Sequence, residues 1–207
     1  MKNIVFDFGG VLIDWNPRYL YRKIFSSTQE MEWFLNNICT LEWNARQDAG
    51  RSFSEGIAEL KAKYPRYSAQ IDDYYLRWEE MLGGLIKGSV EIMKELYDQG
   101  YKIYGLTNWS AETISLAKER YNFFPLFSGV VISGEEKTIK PDLALYKILL
   151  ERYQLNPAET LFIDDKTENT IAAAKVGMKT IDFHSPQQLR QELIKKGILS
   201  ASKLVCI

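Results

Sequence analysis

The residues best placed for chemistry in this sequence are Asp7, Thr107, Lys140, Asp164 and Asp165. Asp7 ends the apolar run Ile4-Val5-Phe6, and Phe8 and two glycines, Gly9 and Gly10, follow it. Thr107-Asn108 ends a second apolar run, and Asp164-Asp165 ends a third, Leu161-Phe162-Ile163. Lys140 stands between them, just before Pro141 and an amphipathic stretch. A hard divalent cation takes oxygen ligands such as Asp7 and Asp164. A phosphate takes a cation, a hydroxyl donor and backbone N–H groups at a helix start. Singly, each residue has an ordinary alternative: Asp7 opens a turn, Thr107 ends a strand, and Lys140 is a solvated lysine.

These residues need strands to carry them. Short apolar runs ending in polar residues read as buried strands, and in an open α/β sheet ligands bind beyond the carboxyl ends of the strands. After Gly83-Gly84, read as a hinge or junction, strands and helices alternate. Helices are expected at Ser89–Gln99 (ended by Gly100), after a Ser110 cap, from Pro141, at Glu168–Val176 and at Pro186–Lys196. Strands are expected to Thr107, at Val130–Ile132, to Asp164 and at Lys179–Phe183. That alternation implies a doubly wound parallel sheet. Between Asn16 and Leu85 the text is helical in period and rich in Trp, Tyr and Arg, with helices expected at Thr28–Asn37, Ser54–Lys63 and Ser68–Leu82. Ser54 and Ser68 are the expected N-caps. The expected division is a catalytic core of residues 1–15 and 86–207 and an all-helical cap of 16–85.

In their order and setting, these motifs make the whole chain resemble the haloacid dehalogenase-like hydrolases, most of which are magnesium-dependent phosphatases. The Gly-Gly-Val and Leu-Thr-Asn text is most similar to the bacterial branch acting on sugar phosphates such as glucose 1-phosphate. The resemblance implies a Rossmann-like α/β core with a small helical cap. Asp7 is the implied nucleophile on phosphorus. Thr107, the Asn108 N–H and Lys140 are the implied partners of the phosphoryl oxygens. Asp7, the Gly9 carbonyl and Asp164 are the implied ligands of Mg2+. Neighbouring residues on one strand face opposite ways, so Asp164 and Asp165 should divide the work. The resemblance implies that Asp164 meets the metal and that Asp165 supports from behind, as a candidate to hold Lys140. Asn169 could cap or brace the same loop, and a helix-surface role is the preferred reading.

One departure bears on activity. Most phosphatases of this kind carry an acid/base aspartate two residues after the nucleophile, where this chain has Gly9. Either Asp14 or a cap residue replaces it, or the substrate's leaving group needs less help, or the chain is a weak enzyme or a binding module. A metal-independent 2-haloacid dehalogenase, with the same aspartate attacking carbon, is the rival enzyme; a phosphosugar mutase is a weaker one. Trp43, Asn44, Arg46, Asp48 and Arg51 are the polar and aromatic cap residues suited to a substrate, with Trp43 and Arg46 the chosen contacts.

Composition bounds the partners. The 207 residues carry 26 Lys+Arg against 27 Asp+Glu, a net charge of −1, with no electrostatic case for nucleic acid or membrane. Two cysteines, Cys39 and Cys206, suit free thiols in a reducing compartment. No apolar stretch is long enough to span a bilayer, and the first strand starts too early to leave room for a signal peptide. The expectation is a cytoplasmic monomer or weak homodimer acting on a small phosphorylated molecule.

Overall fold

The structure, a computed structural model, describes residues 1–201. Its centre is β1 (Asn3–Phe6), buried throughout. β1 pairs in parallel with β4 (Lys102–Thr107) on one side and β6 (Thr160–Asp164) on the other. β5 (Gly129–Ile132) and β7 (Lys179–Asp182) close the edges, giving the parallel order β5-β4-β1-β6-β7. The chain steps outward from β1 to β5, then crosses back to build β6 and β7. The strand order therefore reverses at β1, and this is where an α/β sheet opens a crevice. The fold is the Rossmann-like α/β architecture expected.

The strands are apolar along their length because both faces are covered. Ile4 and Phe6 pack on one face; Val5 packs on the other with Phe162, Leu145 and Tyr146. The first face continues into the helical segment inserted after β2 (Ile13–Trp15), through Leu20, Phe34, Trp43, Phe53 and Tyr74. Aromatic rings fill that segment, with Tyr21 4.9 Å from Phe34 and Trp43 edge-on to Tyr74 at 5.0 Å. Large buried rings supply most of the apolar area that a small helical unit can hide.

Several local expectations need correction. Ser52, not Ser54, caps the helix Phe53–Lys63, in a reciprocal capping box with Glu55. The third inserted helix stops at Leu76, a 3-10 turn follows over Trp78–Met81, and Ser68 is its first helical residue rather than its cap. Of the two readings of Gly83-Gly84, the paired junction fits and the open hinge does not. The two glycines lie in β3 (Leu82–Leu85), which pairs antiparallel with β2 and sets Asp14 opposite Gly84. Strands this short carry no readable alternation. Asp142, not Pro141, starts the helix Leu143–Arg152 by accepting the Ala144 N–H at 2.9 Å. Thr113, not Ser110, precedes the helix Ile114–Arg120. Cys39 is a buried free thiol; Cys206 lies outside the described residues. Among the described residues no helix is long and apolar enough to cross a membrane.

Candidate active site

Because Phe6 is in register with Ile163, the next residues, Asp7 and Asp164, emerge side by side where β1 and β6 end. Both are buried, at 7% and 0% exposure. The ladder still holds the Asp7 backbone, whose N–H donates to the Ile163 carbonyl at 2.9 Å. Into this pair comes Lys140, itself 3% exposed. Its Nζ lies 2.9 Å from Asp7 Oδ1 and 2.6 Å from Asp164 Oδ2, and donates to the Leu106 carbonyl at 3.0 Å. The ammonium also sits over the Phe162 ring, 5.4 Å from its centre. Phe162 and Asp164 share a strand face, so Lys140 arrives from that side.

This explains a correction: Lys140 is held by Asp164 and Asp7, not by Asp165. Asp165 is exposed, and its carboxylate closes a cluster with Asp7 and Asp164 in which one oxygen from each lies within 4.8 Å of the others. Gly10 makes this approach possible. Its φ of 76° suits glycine, and a Cβ there would sit 2.6 Å from Asp165 Oδ2.

The three carboxylates are short of positive charge. Burial pushes the Asp7 carboxyl up to about 7; Lys140 pulls it down, while Asp164 and Asp165 push it further up. Asp165 is exposed as a residue, but its carboxylate is partly desolvated in the cluster. This desolvation, with the Asp164 charge adding to it, raises its pKa. For Lys140, burial works against the ammonium, but Asp164 and Asp7 together outweigh it and raise its pKa. Oxygen donors with this charge deficit fit a hard divalent cation. The phosphate side has its own signature: Thr107 is fully buried, and its Oγ1 has no hydrogen-bond partner. A buried hydroxyl is costly to leave unpaired, and a phosphoryl oxygen would satisfy it.

Asn169 takes the bracing role and not the preferred helix-surface one. It is 2% exposed, and its Nδ2 donates to both Asp164 oxygens, at 2.9 and 3.1 Å. The readable signal was its place in the first turn of Thr167–Lys175, the helix that leaves β6, where side chains can turn back toward the strand end.

Beyond these residues a cavity of about 280 Å³ opens between the core and the inserted segment. The core lines it with Asp7, Gly9, Asn108, Lys140 and Asp165; the inserted segment lines it with Leu41, Asn44, Ala45, Asp48 and Trp78. Trp43 and Arg46 are not brought to it. Trp43 is buried, its indole N–H donating to the Gly56 carbonyl at 3.2 Å. Arg46 is exposed beside Glu42 and Glu59, at 3.8 Å from each. One helical turn decides which residues face in: Leu41, Ala45 and Asp48 form one stripe, with Asn44 beside it. Arg51 pairs with Glu59 at 2.5 Å, away from the cavity. Asp14 also lies off the wall, its Oδ2 accepting from the Tyr19 hydroxyl at 2.6 Å.

The sequence pattern of the haloacid dehalogenase-like hydrolases matches residues 4–183. The chain belongs to that family. It is 31% identical to the sesquiterpene phosphatase of Aspergillus oryzae over 183 residues, covering 86% of this chain and 87% of the relative. It also matches the drimenol cyclase of Aspergillus calidoustus at 23% identity over 93% of its length, but spans only 36% of that longer protein. Among solved structures, a family enzyme from Bacteroides thetaiotaomicron, crystallised with magnesium and inorganic phosphate, superposes with a TM-score of 0.70 at 23% identity, covering 89% and 95% of the two chains. That last likeness shows the shared fold. Like other members of the family, the chain is a hydrolase.

Proposed function

We propose that the protein is a Mg2+-dependent phosphatase of small phosphomonoesters, with Asp7 as the nucleophile. The observation that carries this reading is the convergence of Asp7, Asp164 and Asp165 with the buried Lys140 ammonium, next to the unpartnered Thr107 hydroxyl. Asp7, Asp164 and Asp165 would hold the cation. When bound, it cancels the repulsion between the Asp7 carboxylate and a phosphate dianion. Asp7 attacks phosphorus and becomes an aspartyl phosphate, which water then hydrolyses. Lys140 adds charge next to the attacking oxygen, Thr107 donates to a phosphoryl oxygen, and Asn169 keeps Asp164 oriented. Residues 16–85 act as a cap over a core of 1–15 and 86–207, and the cavity between them receives the alcohol part.

Sugar phosphates are the finer reading: Asp48 and Lys166 are polar groups on the wall, and Trp rings offer flat stacking faces. A second reading has its own support. Trp15, Leu41, Trp78 and Trp109 give part of the wall an apolar surface, which suits an apolar alcohol monophosphate, and the A. oryzae relative is named for sesquiterpenes. Attack on a haloacid carbon without a metal would leave Asp164 and Asp165 crowding Asp7 to no purpose. The buried Cys39 thiol supports a reducing compartment, and the protein is read as a cytoplasmic monomer or weak homodimer.

The test is phosphate release from a panel of sugar phosphates and prenyl monophosphates, with Mg2+ and with chelator. Release that needs the cation supports the reading. Halide release from 2-haloacids, with every phosphomonoester inert, overturns it.

A further inference from the structure

Cleaving a phosphomonoester drives electrons onto the leaving oxygen, and an alkoxide leaves poorly unless a proton reaches it. Four further ionisable groups line the cavity with Asp7, namely Lys140, Asp165, Lys166 and Asp48, and the first two are already engaged. Lys140 is held by Asp7, Asp164 and the Leu106 carbonyl, and Asp165 belongs to the carboxylate cluster. Position 9 has no side chain, and a Cβ added there would meet nothing within 4 Å. The inserted helix Leu41–Asp48 contributes part of the cavity wall, and its last residue, Asp48, lines the same cavity as Asp7 and Gly9.

Asp48 is fastened in place. Its carbonyl accepts from the core Ser133 hydroxyl at 2.6 Å, which pins the end of the inserted helix to the sheet domain. Its Oδ2 accepts from Asn44 Nδ2 at 3.0 Å, and Asn44 Oδ1 accepts from the buried Tyr74 hydroxyl at 3.0 Å.

We infer that Asp48, presented by the inserted segment across the cavity from Asp7, is the acid/base of the reaction. The inference rests on the phosphatase reading and deepens it. In the first half, an Asp7 oxygen bonds to phosphorus, the ester P–O bond breaks with its electron pair on the leaving oxygen, and the proton of Asp48 passes to that oxygen. A neutral alcohol departs. In the second half, the Asp48 carboxylate takes a proton from water as the water oxygen bonds to phosphorus. The bond between phosphorus and Asp7 breaks, inorganic phosphate leaves, and both aspartates return to their starting states.

The surroundings of Asp48 suit both directions of transfer. Burial pushes its carboxyl up to about 7; Lys166 and the Ser110 backbone pull it down, and the Asp7 charge pushes it up. Tyr74, on the far side of Asn44, also feels the Asp48 charge. An acid that must give and then take a proton works best near the ambient pH.

The experiment measures kcat/KM for a series of esters, from p-nitrophenyl phosphate to a simple alkyl phosphate, in the wild-type, Asp48→Asn and Asp48→Glu proteins. Asp48→Asn should lose about 10²–10⁴-fold on the alkyl ester but less than about tenfold on the p-nitrophenyl ester, whose leaving group needs no proton. Asp48→Glu should recover part of the alkyl activity. Asp48→Asn should also show a burst of p-nitrophenol ahead of phosphate, because the water is no longer activated. Inhibition by inorganic phosphate should stay near the wild-type level, showing an intact site. A loss uniform across leaving groups, or no loss on the alkyl ester, would overturn the assignment while leaving the phosphatase reading in place. Wild-type protein inert towards every ester would sink both.

Discussion

Asn108 and Lys140 hydrogen-bond to each other in both directions: Asn108 Nδ2 donates to the Lys140 carbonyl at 3.0 Å, and the Lys140 N–H donates to Asn108 Oδ1 at 2.8 Å. This exchange fastens the loop after β4 to the segment that carries the buried ammonium. The Lys140 side chain is therefore aimed from its own backbone as well as by the carboxylates it meets. Asn108→Ala would leave two backbone groups without partners and let the ammonium drift. A misplacement of about 1 Å costs on the order of 10²-fold in rate. The expected outcome is a fall of that size in kcat with a smaller change in KM. A change confined to KM would show that Asn108 acts on substrate affinity alone.

Asp7→Asn should abolish turnover and leave the fold intact, because an amide cannot form the aspartyl phosphate. Lys140→Ala and Asp164→Ala should each lose about 10²–10³-fold, the usual cost of one electrostatic element at a reacting centre. Thr107→Ala should lose less, since backbone donors remain. Lys140→Ala should also destabilise the metal-free protein by roughly 3–5 kcal/mol, because it leaves buried carboxylates uncompensated. Added Mg2+ should restore part of that loss. Melting curves with Mg2+ and with chelator check the stability claims, and phosphate release checks the rates.

The pH dependence of stability should expose Asp48 independently of catalysis. Its folded-state carboxyl is raised to about 7 by burial, against about 3.9 in an unfolded chain. Between those values the folded protein binds more protons than the unfolded one, so stability falls as pH rises through that window. Asp48→Asn removes this penalty. Its Tm should match the wild type near pH 4 and exceed it at pH 8, by roughly 2–4 °C for each kcal/mol relieved. A constant Tm difference across that range would show that the carboxyl does not titrate there.

Gly9 leaves room for a second route. Nothing lies within 4 Å of an added Cβ, and Gly9 is not among the positive-φ glycines. Gly9→Asp should therefore fold normally. In the Asp48→Asn protein it should restore at least part of the alkyl-phosphate activity, because it places a carboxylate near the same oxygen. A double variant no faster than Asp48→Asn would show that a carboxylate at position 9 cannot reach the leaving group.

The parallel sheet and the residues at its strand ends were legible because they are local in sequence. Val5 and Phe6 lead into Asp7, Leu106 into Thr107, and Ile163 into Asp164; an apolar run that stops at a polar residue marks both the strand and its tip. The long helices were legible for a similar reason: their apolar spacing repeats within a dozen or so residues. Three outcomes were not legible. Asp164 rather than Asp165 meets Lys140, because Lys140 arrives on the Phe162 face. Asn169 is buried against Asp164 rather than exposed. Of the five cap residues singled out in the sequence, Asn44 and Asp48 reach the cavity while the chosen Trp43 and Arg46 do not. Each of these depends on the angle at which one element docks on another. That angle is set by the summed packing of many side chains, such as Trp78 on Trp109 at 5.4 Å, and by single cross-links such as Ser133 to Asp48. Periodicity tells which residues share a face of a helix; only the packed structure decides which face looks into the cavity.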